Sequence, residues 1–157
     1  MLDLMRWLGL SALIIILDQI SKLSVSSHFV HGESLPVTGF FNLVLAHNKG
    51  AAFSMLSDAD GWQRWMFSGI AVVAAVWITW LLCKHPQQKL FCFALALILG
   101  GALGNLADRI SYGYVVDFLD FHWDNHHFPA FNVADSAITC GAALLLLDSF
   151  INKPEKT

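Results

Sequence analysis

Two long runs without a single charged side chain constrain this chain more than any other feature of its sequence. They are Trp65–Cys83, WMFSGIAVVAAVWITWLLC, and Leu90–Ala107, LFCFALALILGGALGNLA. A helix needs about 20 apolar residues to cross the roughly 30 Å hydrocarbon core of a bilayer. Both runs are close to that length, so each predicts a transmembrane helix.

Two further apolar stretches carry ionisable groups and still fit a span. Met5–Val25 contains Asp18 and Lys22, and Phe131–Ile151 contains Asp135. With 56% hydrophobic and 13% charged residues, the chain is far more apolar than a typical soluble domain. We therefore predict an all-α membrane protein with four transmembrane helices in a single membrane-embedded domain over 1–157. The spans are expected at about 5–25, 65–83, 90–108 and 131–151.

The first apolar stretch could instead be a removable signal peptide, because Arg6 precedes it. The sequence that follows, Asp18–Lys22, lacks the small residues of a usual cleavage site. We expect the segment to be retained as the first span.

The positions of lysine and arginine predict the orientation in the membrane. One side would hold Arg6, Lys84, Lys89, Lys153 and Lys156, all in or beside short connections. Positive residues in short loops mark the cytoplasmic side. Both termini are therefore expected on the cytoplasmic side, with the loops at about 26–63 and 110–130 on the opposite side.

The first outer loop contains a candidate β-strand. Residues Gly39–Ala46, GFFNLVLA, are aromatic and β-branched, with Pro36 before them and Asn48–Gly50 after them. We expect a small extracytoplasmic sheet lying against the membrane surface.

Two polar pairs within the spans are spaced four residues apart, so each pair shares a helix face. Asp18 and Lys22 can neutralise each other or present both charges to one cavity, and these two interpretations remain open. Asn105 and Arg109 lie at the outer end of the third span, where a structural and a functional role are both open. The preceding Gly100–Gly104 pair predicts close helix packing beside Asn105.

Two aspartates flank the second outer loop. Asp117 lies in the apolar run Tyr114–Phe118, so its carboxyl should be partly desolvated and its pKa raised. Asp135 opens the fourth span, where an aspartate can simply cap the helix. The loop places both at similar depth, so the two carboxyls can meet and share a proton, as in aspartic proteases.

A histidine-rich segment provides a competing site. His122 and His126 would share a face if their loop were helical, and with Asp120 or Asp124 they could bind zinc. His127 lies beside them, but no HExxH motif accompanies the group.

These residues belong to motifs that closely resemble those of the lipoprotein signal peptidases, or signal peptidase II, the bacterial inner-membrane aspartic proteases of lipoprotein maturation. The resemblance covers nearly the whole chain. It rests on five motifs, in order Asp18–Lys22, Asn48–Phe53, Gly100–Arg109, Val115–Phe118 and Phe131–Ile138.

The resemblance implies an endopeptidase that cleaves immediately before a diacylglyceryl-modified cysteine and needs no cofactor or metal. It implies that Asp117 and Asp135 are the catalytic dyad. It further implies that five residues line the substrate site, namely Asn48, Gly50, Asn105, Arg109 and Asn132. Asp18 and Lys22 would support that site. We expect lipidated prolipoproteins and membrane lipids as partners, no nucleic acid, and a monomer.

Two other classes of function remain as alternatives. A proton-coupled transporter could use Asp18 and Asp135 as relay groups, although four spans without an inverted repeat lack the usual transporter plan. A non-enzymatic scaffold would leave the cluster of carboxyls and amides without a purpose.

Overall fold

The computed structural model describes residues 2–50 and 61–152. It contains four long helices, α1 Leu2–His28, α2 Trp62–Lys84, α3 Lys89–Ser111 and α4 Val133–Ile151. All four are long and apolar enough to cross a membrane, which confirms the predicted fold class of four transmembrane helices. Two of the positive residues used for the orientation, Lys153 and Lys156, lie outside the described residues, as do residues 51–53 of the second motif.

Helix α3 is the centre of the bundle, because it packs against each of the other three helices. Close approach depends on glycine. A Cβ on Gly100 would lie 2.7 Å from the Ile14 Cβ, and one on Gly104 would lie 2.7 Å from Asp18 Oδ2. The predicted close packing is therefore present, and it brings α1 against the half of α3 that carries Asn105.

The outward face of α2 carries large aromatic side chains. Trp62, Trp65, Trp77 and Trp80 are all exposed, in pairs near the two ends of the helix. Indole rings favour the two membrane interfaces, so this helix presents an aromatic belt to lipid at each end.

A four-stranded antiparallel sheet joins the helices at one end of the bundle. Its strands are β1 Ser34–Thr38, β2 Phe41–Asn48, β3 Val115–Trp123 and β4 His126–His127, in the order β1-β2-β3-β4. Helices α1 and α3 end at this sheet, and α2 and α4 begin beyond it. The sheet packs against α1 and α3, and we call this end of the bundle the sheet end.

The strand predicted at Gly39–Ala46 is present as β2, although it begins at Phe41 and continues to Asn48. Pro36 does not bound the sheet. It lies within β1, which is an edge strand. Proline is tolerated there because its missing N–H removes no hydrogen bond from a central strand.

The helical option for the histidine segment is wrong. Val115–Trp123 is a strand, and His122 pairs with His127 across a tight hairpin whose turn residue Asp124 has a positive φ of 51°. The run Val115–Phe118 is apolar and partly β-branched, which suits an extended segment buried between β2 and the bundle.

Candidate active site

Asp117 lies on β3, opposite Ala46 of β2, and only 2% of its surface is exposed. Its two carboxylate oxygens accept bonds from two amide side chains. Asn132 Nδ2 donates to Oδ1 at 2.7 Å, and Asn48 Nδ2 donates to Oδ2 at 3.0 Å.

The pKa of Asp117 is raised to about 7, in the direction expected from the sequence. Burial is the largest cause, followed by the negative charge of Asp135. The hydrogen bonds from Asn48 and Asn132 and the charge of Lys22 act in the opposite direction and are outweighed. Asp117 is therefore a carboxyl that can hold or release a proton near neutral pH.

Asp135 occupies the first turn of α4. Its Oδ2 accepts the Asn132 backbone N–H at 3.3 Å, and the Asn132 side chain accepts the Asp135 N–H at 2.9 Å, which together form a capping box. The helix-cap interpretation is thus confirmed. Capping is not the only interaction of Asp135, because its Oδ1 accepts a bond from Asn105 Nδ2 at 2.7 Å and its side chain lines a cavity.

Asn132 connects the two carboxyls and is fully buried. Its oxygen caps α4 at Asp135, while its Nδ2 donates to Asp117 and to the Val116 carbonyl, at 2.7 and 3.2 Å. One rigid amide therefore contacts the residue from the strand and the residue from the helix. The structure brings the two predicted dyad residues into a single hydrogen-bond network.

Asn105 carries this network towards α1. Its Oδ1 accepts a bond from Lys22 Nζ at 2.8 Å, and its Nδ2 donates to Asp135. An ammonium group has only donors, so the Asn105 atom that faces Lys22 must be oxygen. The amide nitrogen is thereby directed at Asp135.

Lys22 lies within ion-pair distance of two buried carboxylates. Its Nζ lies 2.8 Å from Asp18 Oδ2, which confirms the pair expected on one helix face, and 2.9 Å from Asp108 Oδ2. Asp18 Oδ1 also accepts the Ala134 N–H at 2.9 Å in the first turn of α4. Asp18 and Lys22 therefore contact the network from the α1 side.

Arg109 and Gly50 border the same region. Arg109 Nη2 donates to the Gly50 carbonyl at 3.3 Å, and the guanidinium lies over the Phe67 ring, 5.2 Å from its centroid. The Gly50 N–H donates to Asn48 Oδ1 at 2.9 Å. The end of β2 is therefore attached to α3 through Arg109 and to β3 through the Asn48–Asp117 bond.

A cavity of about 620 Å³ opens beside these groups. Its polar lining comes from Asn48, Asn105, Arg109 and Asp135, and its apolar wall from Phe128–Phe131 and the α4 side chains down to Cys140. Thr139 and Cys140 are exposed on the span itself, so the cavity extends from the polar residues to the lipid-facing side of α4.

Asp108 and Gln19 also belong to this network, and neither was predicted from the sequence as a site residue. Asp108 is buried between Lys22, Gln19 and the Val116 N–H, and Gln19 Nε2 donates to Asp108 Oδ1 at 2.8 Å. The signal that singled out Asp18 applied to Asp108 as well, because it is also a carboxyl in a predicted span.

The histidines of the competing site lie on the β3–β4 hairpin. His127 Nδ1 lies 2.9 Å from the Asp120 carboxylate, and His122 and His127 stack with ring centroids 5.0 Å apart. Among the described residues that line the cavity beside Asp135, none is a histidine. The zinc proposal therefore concerns a place other than the dyad.

Comparison with known proteins agrees with this geometry. A family model described as signal peptidase (SPase) II matches residues 10–151. The chain belongs to the signal peptidase II family. This membership confirms the resemblance drawn from the five motifs, and it does not favour the transporter alternative.

Individual relatives are similar over nearly the full chain. A lipoprotein signal peptidase of Ralstonia nicotianae is 63% identical over 142 residues, which cover 90% of this chain and 82% of that protein. One from Paraburkholderia phytofirmans is 58% identical over 146 residues, covering 93% and 85%.

Solved structures show the same fold. One bacterial membrane enzyme determined by the in meso method superposes with a TM-score of 0.82 at 31% identity, covering 97% of this chain and 93% of that one. A second gives a TM-score of 0.80 at 28% identity, covering 95% and 94%.

Proposed function

We propose that this chain is an aspartic endopeptidase that removes the signal peptide from diacylglyceryl-modified prolipoproteins, with Asp117 and Asp135 as its catalytic dyad. Membership of the signal peptidase II family supports the activity and the substrate class. The observation that carries the residue assignment is the Asn132 bridge, which contacts both aspartates beside an open cavity.

The chemistry follows from two carboxyls that share one proton. The ionised carboxylate takes a proton from a water molecule as its oxygen attacks the scissile carbonyl. The protonated carboxyl donates to the carbonyl oxygen, so a tetrahedral diol forms with no net gain or loss of protons. Collapse of the diol returns a proton to the amine that leaves.

The cavity supports a division of the substrate between polar and apolar parts. Asn48, Gly50, Asn105, Arg109 and Asn132 are proposed to line the substrate site. Among them, Asn105 and Arg109 would hold the peptide backbone or the lipid ester groups. The apolar wall towards Cys140 gives acyl chains a path into the bilayer, so only the peptide has to enter the polar site.

The finer setting is proposed on the same basis. The enzyme would act as one domain and as a monomer in the bacterial inner membrane, with both termini cytoplasmic and the sheet end facing the periplasm. All the residues named for the site come from one chain, and Arg6, Lys84 and Lys89 lie at the opposite end of the helices.

The decisive experiment replaces each aspartate by its near-isosteric amide. Asp117→Asn and Asp135→Asn should each insert and bind a lipidated precursor peptide but lose cleavage almost entirely. The double variant should be scarcely worse than either single one, because members of one catalytic unit are strongly non-additive.

Asp148→Asn is the matched control, since Asp148 lies on the same helix α4 near its other end and bonds to Asn152. It should cleave at the normal rate. Robust cleavage by Asp135→Asn would return that residue to the role of a helix cap and end the dyad assignment.

A further inference from the structure

Asp108 is buried and has three partners, none of which is a dyad residue. It lies in the last turn of α3 and is 1% exposed. Its Oδ2 lies 2.9 Å from Lys22 Nζ and accepts the Val116 N–H at 3.1 Å, while its Oδ1 accepts from Gln19 Nε2 at 2.8 Å. A buried carboxylate with this many donors is held in one orientation.

One branch from Asp108 reaches Asp135 through two residues. Asp108 holds the Lys22 ammonium where it donates to Asn105 Oδ1 at 2.8 Å. That contact fixes the amide of Asn105 with its nitrogen towards Asp135, 2.7 Å away. Without Lys22, only a 3.3 Å bond from Asn132 Nδ2 would hold the Asn105 oxygen in place. The amide could then rotate and present its oxygen to Asp135, which would replace a donor by a repelling acceptor.

The other branch reaches Asp117 through the backbone. Asp108 accepts the N–H of Val116, and Val116 immediately precedes Asp117 in β3. The Val116 carbonyl accepts from Asn132 Nδ2, which also donates to Asp117 Oδ1. The Asp108 carboxylate therefore fixes the peptide that carries one dyad residue as well as the donor that orients the other.

We propose that Asp108 is a positioning residue, which aligns both carboxyls of the dyad by holding Lys22 and the Val116 N–H at the same time. This inference rests on the proposed dyad. Asp108 does not touch the reacting atoms, so it acts through the alignment of the dyad, and its loss lowers turnover.

The charge balance explains why a carboxylate is needed there. Lys22 lies between Asp18 and Asp108, and both carboxylates are almost completely buried. An asparagine at position 108 can still accept the Val116 N–H but no longer attracts the ammonium by charge. Lys22 would then be held by Asp18 alone, on the α1 side, and its contact with Asn105 would loosen.

The test measures the kcat and KM of Asp108→Asn with a lipidated precursor peptide in detergent. We expect kcat to fall about 10- to 100-fold, as for loss of an orienting outer partner elsewhere, with KM within about twofold of the unchanged protein. Asp148→Asn is the control, and its kcat should not change.

A double-mutant cycle separates positioning from a general structural role. Asn105→Ala removes the relay, so adding Asp108→Asn to it should cost much less than Asp108→Asn does alone. Fully additive losses, or an unchanged kcat for Asp108→Asn, would overturn the proposal. The proposed function fails separately, if Asp117→Asn or Asp135→Asn keeps cleaving.

A second variant decides the matter if Asp108→Asn does not fold. Gln19→Met removes the donor that orients the Asp108 carboxylate without changing any charge, and Gln19 is only half-buried. It also removes the longer bonds from Gln19 Nε2 to the Gly104 carbonyl at 3.2 Å and to Asp18 Oδ2 at 3.3 Å. Its kcat should fall about threefold at unchanged KM. This fall is smaller than the one expected for Asp108→Asn, because the Asp108 carboxylate itself is kept. An unchanged kcat for Gln19→Met would contradict the positioning role.

Discussion

At the scale of single residues, the raised pKa of Asp117 predicts the pH range of the proposed reaction. Its pKa is raised to about 7 by burial and by the charge of Asp135. A raised carboxyl pKa means that the proton is present below this pH and lost above it. Since the dyad needs one shared proton, kcat should fall about tenfold per pH unit above neutrality.

A pH–rate profile from about pH 6 to about pH 9 checks this expectation. The apparent pKa values will belong to the pair of carboxyls and not to one residue. The thermal stability of the protein is measured at each pH, so that unfolding is not mistaken for titration. A flat profile up to about pH 9 would contradict a protonated Asp117 in the reaction.

Arg109 should depend on its planar guanidinium and not only on its charge. It donates to the Gly50 carbonyl while lying over the Phe67 ring, a combination that the point charge of lysine does not reproduce. Arg109→Lys should lower kcat/KM about tenfold, which corresponds to roughly 1.4 kcal/mol.

Arg64→Lys serves as the control for the Arg109 variant. Arg64 also binds a carbonyl, that of Ile110, and also lies beside an aromatic ring, but it does not line the main cavity. Normal cleavage by Arg109→Lys would reassign Arg109 to structure or to lipid headgroups.

Residue spacing predicted part of the site and missed the rest for a definite reason. Contacts within one helix, such as Asp18 with Lys22, follow from a separation of four. The contact of Lys22 with Asp108 depends on how α1 packs against α3, which no local pattern contains. The bridging role of Asn132 is equally non-local, since it joins β3 to the start of α4.

At the scale of elements, the packing of α4 on α3 positions Asp135. A Cβ on Gly101 would collide with the Ala134 carbonyl, in the turn that carries Asp135. Gly101→Ala should therefore push the start of α4 outwards, destabilise the protein by about 1–3 kcal/mol and sharply reduce cleavage.

Gly69→Ala is the matched control on α2, where an added Cβ meets nothing within 4 Å. It should leave cleavage unchanged and should not lower thermal stability, because alanine favours a helix more than glycine does. If Gly101→Ala behaved like Gly69→Ala, the fixed approach of the two helices would not be what places Asp135.

The β3–β4 hairpin should not supply a catalytic metal. Its histidines interact with Asp120 and with each other, and Asp120 also accepts a bond from Asn42 at 2.8 Å. Joint replacement of His122, His126 and His127 by alanine, or addition of a strong chelator, should leave substantial cleavage. Loss of activity in both tests would instead indicate a metal site.

The elements themselves were predicted unevenly. Uncharged apolar runs identify spans almost regardless of context, so the four helices followed directly from the sequence. Strand β3 did not, because its mixed run Val115–Trp123 becomes extended only by pairing with β2, far away in the chain. The short hairpin at Asp124 was likewise hidden, since a positive φ at aspartate is uncommon.

At the scale of the whole molecule, the sheet end and the α2–α3 turn should face opposite sides of the membrane. We expect a single cysteine at Glu33 to react with an impermeant thiol reagent from outside. A single cysteine at Gln87, in the short turn between α2 and α3, should react only after the membrane is permeabilised. The positive residues beside that turn give the physical reason.

The labelling requires a background from which Cys83, Cys92 and Cys140 have been removed, because all three are free thiols. Spheroplasts that make each variant are treated before and after permeabilisation. Labelling at Gln87 but not at Glu33 in sealed spheroplasts would reverse the proposed orientation.

The ion pair within α1 also bears on how the chain enters the membrane during synthesis. The first helix emerges before α3 and α4 exist, so neither Asp108 nor the Ala134 N–H is yet available to its charged groups. Asp18 and Lys22 lie 2.8 Å apart on the same helix, so the nascent segment can neutralise itself. The contact within α1 therefore gives each charge a counter-ion that does not depend on the other helices, and Asp108 and the Ala134 N–H add further partners in the folded protein.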